Sequence, residues 1–90
     1  MRKVTLDILR AFNNRQKKTI KNTSCDGDNV YLHGNKIVKR ENGKVFIRTA
    51  GWNTVTTRER LNAFTMKRIY QKNFDLYCND IAWNGDWMEA

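Results

Sequence analysis

Val30-Tyr31-Leu32-His33-Gly34-Asn35-Lys36-Ile37-Val38-Lys39-Arg40-Glu41-Asn42-Gly43-Lys44-Val45-Phe46-Ile47 is the stretch whose reading decides the fold. Valine, isoleucine, tyrosine and phenylalanine favour pleated backbone, and an Asn-Gly pair between such runs is a strong two-residue hairpin signal. The stretch predicts three strands over 30–33, 36–40 and 44–50, joined by turns at Gly34-Asn35 and Asn42-Gly43. An antiparallel meander is the simplest outcome. With those turns, residues flanking each turn pair and side chains alternate between faces. One face then carries Tyr31, Val38, Val45 and Ile47, and the other Val30, Leu32, Ile37 and Phe46. The counts tie, which leaves two outcomes. Either a helix covers each face, or one face meets the core while the other offers an aromatic and basic platform, with Phe46 among Lys39, Lys44 and Arg48.

Toward the N-terminus, Val4, Ile8, Leu9 and Phe12 recur at helical spacing, with Thr5 or Asp7 suited to the first turn and Asn13-Asn14 ending it. After the basic run Arg15-Gln16-Lys17-Lys18, residues 19–22 read as a short edge strand kept soluble by lysine. Asp26-Gly27 turns the chain. Toward the C-terminus, Thr56-Thr57-Arg58-Glu59 fits a capping box opening a second helix that runs to about Phe64, with Leu61 and Phe64 on its apolar edge. Residues 68–71 and 75–78 form a strand pair, and Asn84-Gly85 turns between Trp83 and Trp87. The order predicts a small single α+β domain over residues 1–90, an antiparallel sheet with two short helices. Tyr31 to Ile37 and Tyr77 to Trp83 echo one another across a turn, a pattern that simple hairpin grammar also produces.

Charge carries the functional signal. Seventeen Lys and Arg against nine Asp and Glu leave +8, sorted along the chain as +6 over 1–21, −2 over 22–35, +8 over 36–72 and −4 over 73–90. Such an excess favours acidic partners, because each phosphate contact releases condensed counterions. The candidate contacts are Arg15, Lys17, Lys18 and Lys21 in the first basic block and Lys39, Lys44, Arg48, Arg58, Arg60, Lys67, Arg68 and Lys72 in the second. Trp52, after Gly51, and Tyr70, between Arg68 and Lys72, are the rings best placed to stack on unpaired bases. Phe12, Tyr31, Phe64 and Tyr77 are expected in the core. The N-terminus of the second helix also suits a phosphate, but Glu59 in the cap opposes it.

Enzymatic constellations are lacking. His33 is the only histidine and lies beside a turn, and Cys25 and Cys78 are distant from it and from each other. Neither an activated nucleophile nor a metal-ligand spacing is visible, so no catalytic residue, metal or cofactor is expected. The cysteines read as free thiols. Asp7 and Arg10 interrupt the only early apolar run, so neither a signal peptide nor a membrane span is expected. The acidic end, with Asp75, Asp80, Asp86 and Glu89, suits contact with the basic block of a second copy, and the Trp83 and Trp87 indoles suit either sealing the core or meeting a protein.

Tyr31-Leu32-His33-Gly34-Asn35-Lys36-Ile37, Gly51-Trp52-Asn53-Thr54-Val55-Thr56-Thr57-Arg58-Glu59-Arg60-Leu61-Asn62 and Trp83-Asn84-Gly85-Asp86-Trp87 together resemble a family of small proteins encoded by tailed bacteriophages. The resemblance covers about residues 19–90. Where members read Tyr-Leu-Asn-Gly near the end, this chain has Tyr77-Cys78-Asn79-Asp80. In size and charge the chain is also similar to the phage-encoded RNA-binding antitoxin that counters a toxin and RNA abortive-infection system. The resemblance implies a non-enzymatic RNA-binding protein of the host cytoplasm that antagonises a defence ribonuclease. The competing expectation is an inhibitor docking on an acidic surface of a host nuclease or polymerase, with Trp52 or Trp87 as anchors.

Overall fold

The computed structural model describes residues 1–90. Its elements run α1 (Lys3–Asn13), β1 (Lys17–Ile20), β2 (Thr23–Asp26), β3 (Asn29–Leu32), β4 (Asn35–Glu41), β5 (Lys44–Ile47), α2 (Val55–Asn62), β6 (Ile69–Lys72), β7 (Asp75–Cys78), β8 (Ile81–Ala82) and β9 (Met88–Glu89). This is the expected α+β fold, with two helices and antiparallel sheets. Six strands form one sheet in the order β1-β2-β3-β4-β5-β9, and β6-β7-β8 form a second.

The meander holds, with one turn displaced. Leu32 pairs with Asn35, so the two-residue loop is His33-Gly34 rather than Gly34-Asn35, with φ of 52° and 80° at the two positions. Both are left-handed, as a primed hairpin turn requires to match the twist of its strands. Asn42-Gly43 turns as expected, with φ of 53° and 77°. The displaced turn is reconciled by a register shift: Tyr31 faces Lys36 while Val30 faces Val38. The extra residue is Ile37, and it lets two consecutive side chains, Ile37 and Val38, both be buried.

Other boundaries also moved. The edge strand starts at Lys17, and residues 23–26, not expected as a strand, pair with it. The third strand of the meander stops at Ile47, because Thr49 to Trp52 close a turn through the Trp52 amide and the Thr49 carbonyl, 3.1 Å apart. Helix α2 is capped by Thr54, whose hydroxyl accepts from the Thr57 amide at 3.1 Å, so the Thr56–Glu59 capping box does not form. The end of the chain makes no hairpin between its tryptophans. Instead β9 lies against β5, with Phe46 opposite Glu89 and Ile47 opposite Met88.

One core joins both sheets and both helices: Ile8 and Phe12 of α1, Val30, Leu32, Ile37, Val38 and Ile47 of the large sheet, Leu61 of α2, and Ile69 and Cys78 of the small one. Burying each of these larger apolar side chains contributes about 1.5–3 kcal/mol. Phe64, just past α2, meets Phe12 edge-on at 5.3 Å. Tyr31 and Tyr77, expected in the core, are only half-buried. Within the core sits a charge: Arg60 is 4% exposed and donates to Thr5 Oγ1 at 2.7 Å, to Thr23 Oγ1 at 3.1 Å and to Glu59. Thr5 in turn donates to Glu59. Every buried side-chain nitrogen and oxygen has a partner. Cys25 and Cys78 are buried free thiols, and burial pushes the Cys25 thiol up.

Candidate nucleic-acid interface

Alternation along the strands, with the shift at Ile37, settles which face of the large sheet is which. Val30, Val38 and Ile47 share the inner face with the helices. Tyr31, Lys36, Lys39 and Phe46 fall on the outer face, where neither helix lies. Trp87, carried there by β9, joins them. Lys39 Nζ stands 4.4 Å from the Trp87 ring centre and 5.6 Å from that of Phe46, the Arg48 guanidinium stands 4.6 Å from Trp87, and Lys36 stands 5.9 Å from Tyr31. These cations and rings are all half-buried and form two cation–ring groups, Lys36 with Tyr31 and Lys39 and Arg48 with Phe46 and Trp87. Arg48 is further held by its Nε, which donates to the Lys36 carbonyl at 2.8 Å. Of the two outcomes left open by the sequence, this is the platform.

Carboxylates border the platform. Lys17 pairs opposite Asp26, Lys44 opposite Glu41, and Phe46 opposite Glu89. Asp26 is exposed but its carboxylate is occupied by the protein: it accepts from the Asp28 and Asn29 amides at 3.0 and 2.8 Å, from the Asn29 side chain, and from the Tyr31 hydroxyl at 3.3 Å. Burial works to raise the Asp26 carboxyl, yet these donors outweigh it and hold the carboxyl below its usual range. For Tyr31, burial first and then the charge of Asp26 push the phenol up. Glu41 is occupied by Lys39 at 3.3 Å. The clean separation of basic blocks from an acidic tail is thus not realised, because β9 brings Glu89 onto the basic face and Lys67 Nζ donates to its carbonyl at 2.7 Å.

The remaining expected contacts divide by location. Lys18 and Lys21 are exposed on β1 and the turn after it, and Arg15 pairs with Asp28 at 3.1 Å. Arg68, Tyr70 and Lys72 lie at the small sheet, where Tyr70 stacks on Tyr77 at 5.4 Å, Arg68 stands 4.6 Å from the Tyr70 ring, and the Tyr70 hydroxyl donates to Asp80. That hydrogen bond, ahead of a small burial contribution, raises the Tyr70 phenol. Arg58 reaches back to Asn53 and borders a shallow groove with Tyr70 and Phe74. Trp52 is 58% exposed and walls a cavity of about 290 Å³. Arg60 is the clear correction: buried, with Nε and Nη1 given to Thr23, Thr5 and Glu59, it has almost no surface to offer a phosphate.

Tyr31 and Lys36 were not among the expected contacts, and Trp87 was expected only as an anchor for a protein partner. Tyr31 and Lys36 share a face with Lys39 and Phe46 because the extra residue at Ile37 flips β4 beyond it; the one-residue displacement of the turn by itself leaves every face as it was. For Trp87 no local signal exists, since its place depends on pairing with a strand some forty positions earlier. No group of three or more His, Cys, Asp or Glu side chains gathers at a point, and no helix is long and apolar enough to cross a membrane.

Comparison with curated proteins and with solved structures yields no match. A family model does match, over residues 1–89, so the likeness takes in α1 as well as the region that carried the resemblance to small phage proteins. The chain belongs to the family described as Kyanoviridae Gp96 protein.

Proposed function

We propose that this phage protein binds single-stranded RNA without catalysis, in the host cytoplasm, and through that contact antagonises a host defence ribonuclease in the manner of an antitoxin. One observation carries the reading: Lys36, Lys39 and Arg48 interleave with Tyr31, Phe46 and Trp87 on a sheet face that neither helix covers. Cations neutralise phosphates and rings accept unpaired bases, the pairing of functions that single-strand binders use. Lys17 and Lys44 extend the cationic edge.

The test is a gel-shift titration against unstructured RNA across a salt series. Five cations on this face predict a slope of log affinity against log salt of about −3.5, at roughly 0.7 per phosphate. A chain that shifts no RNA at low salt, or binds independently of salt, refutes the reading.

A second reading, an inhibitor that docks on a host enzyme, is favoured by Phe74. It sits at the tip of the β6–β7 turn with φ of 70°, 93% exposed, a costly position for an aromatic residue that packs against nothing. Capture of partners from host lysate with and without nuclease treatment separates the two. Partners held through RNA are lost on digestion, and partners held directly are kept.

A further inference from the structure

The cavity beside Trp52 lies apart from the outer-face platform, between the His33-Gly34 turn and the loop that leads into α2. Its floor is Leu32 and Ile37, and Trp52, His33, Asn35 and Thr56 stand around it. At about 290 Å³ it is at the lower end of small-molecule pockets, roughly 300 Å³ and upward, which suits one ring system. The backbone on both rims is held in an uncommon conformation by residues other than glycine. His33 has φ of 52° on one side and Ala50 has φ of 56° on the other. Left-handed backbone at such residues is uncommon and costs free energy. Here the two bends bring an imidazole and an indole to the same opening.

The polar groups divide into used and unused. Thr49 donates to the Gly85 carbonyl at 3.3 Å, and the Thr54 and Thr57 hydroxyls bond to each other at 2.9 Å. Thr56 Oγ1 accepts from Arg2 at 3.4 Å and keeps its own hydrogen to donate. Asn35 makes only a long 3.5 Å contact to the His33 carbonyl, and the His33 ring makes no hydrogen bond within the protein. An apolar floor, an exposed indole face, and a carboxamide with an imidazole at the edge match the needs of a planar heterocycle with donors and acceptors on its rim.

We infer that this cavity receives a single unpaired nucleobase, stacked on Trp52 and read at its edge by Asn35 and His33. The inference rests on the RNA reading for its ligand class and adds a base-selective pocket apart from the outer-face platform. Carboxamides recognise base edges through paired donor and acceptor atoms, and an indole supplies a stacking surface that every base can use.

The test uses the intact chain and two probes. The four nucleoside 5′-monophosphates are titrated to millimolar concentration while the C2–H resonance of His33, the only histidine, is followed by NMR, with ribose 5-phosphate as control. At least one mononucleotide should move the resonance, with a ranking among bases, and ribose 5-phosphate should not. Equal shifts from ribose 5-phosphate, or none from any mononucleotide, overturn the inference. In parallel, Trp52→Ala and His33→Asn, the latter chosen because asparagine tolerates left-handed backbone, are titrated with the four RNA homopolymers. Trp52→Ala should weaken the preferred homopolymer fivefold or more and flatten the ranking, with the salt slope unchanged. His33→Asn should flatten the ranking with less loss of affinity. If both variants bind every homopolymer as the parent does, the pocket inference falls while the RNA reading stands. If the parent binds no homopolymer yet ranks the mononucleotides, the RNA reading falls and the pocket stands.

Discussion

Arg60 and Arg48 belong to opposite sides of the same large sheet and show two uses of one side chain. Arg60, on the inner side, gives its guanidinium to Thr5, Thr23 and Glu59 and is closed to solvent. Arg48, on the outer side, lies over Trp87 with a single hydrogen bond to backbone and remains half-exposed. The inner arginine ties α1, β2 and α2 together at one point, so it works as a structural joint. The outer one leaves donors to spare for a ligand. Net charge counts both equally, and only one of them is open to solvent.

The contrast breaks most sharply at Arg60. Arg60→Ala leaves the Glu59 carboxylate without its cation, held only by the Thr5 hydroxyl, and should cost about 3 kcal/mol in urea unfolding, the low end for a broken buried pair because Glu59 keeps some exposure. RNA affinity of the remaining folded molecules should not change. A stability loss below about 1 kcal/mol would mean that Arg60 is not the joint described. On the outer face, Trp87→Ala removes the ring shared by Lys39 and Arg48 and should cost about 1–2 kcal/mol, at roughly 0.5–1 per cation contact. It should also weaken RNA binding.

Smaller effects sharpen the same picture. Phe74→Gly relieves left-handed strain at a side chain that packs against nothing, and should stabilise the chain by about 1 kcal/mol, read as a higher urea midpoint. The triple change Lys36→Ala, Lys39→Ala and Arg48→Ala should shift stability by about 0.5 kcal/mol or less per site. It should flatten the salt slope by about 2. An unchanged slope would remove the outer face from the interface. For Asp26, whose carboxyl is held below its ordinary value of 3.8, the stabilising contribution is complete above that pH. It is lost as pH falls through the folded-state value. Asp26→Asn should therefore lose a few tenths of a kcal/mol near neutral pH and show a flatter acid limb in a pH series below 3.8.

What could be read from residues alone was local. The apolar spacing of Val4, Ile8 and Phe12 marks α1, Asn42-Gly43 marks its hairpin, and the β6–β7 pair follows from residues 68–78, because each depends on neighbours a few positions away. The Tyr31 and Tyr77 echo proves to be the same local grammar, each tyrosine two residues before a left-handed turn, with Asn79-Asp80 serving where Gly appears in the first. Misreadings began where two local solutions were nearly equal. His33-Gly34 and Gly34-Asn35 both suit a turn, and Thr54 and Thr56 both suit a cap.

The sequence by itself determined the α+β class, the central hairpins and an excess of positive charge, since backbone preference and net charge are sums over nearby or all residues. Only the tertiary structure decided which cations are available. Burial of Arg60 requires Thr5 and Thr23, 55 and 37 residues away in the chain. The outer platform requires β9 to reach β5, and a one-residue bulge at Ile37 to turn Val38 inward and set Lys39 and Phe46 on the face of Tyr31 and Lys36. Those outcomes turn on which distant surfaces pack best against each other, a competition that no short window of residues contains.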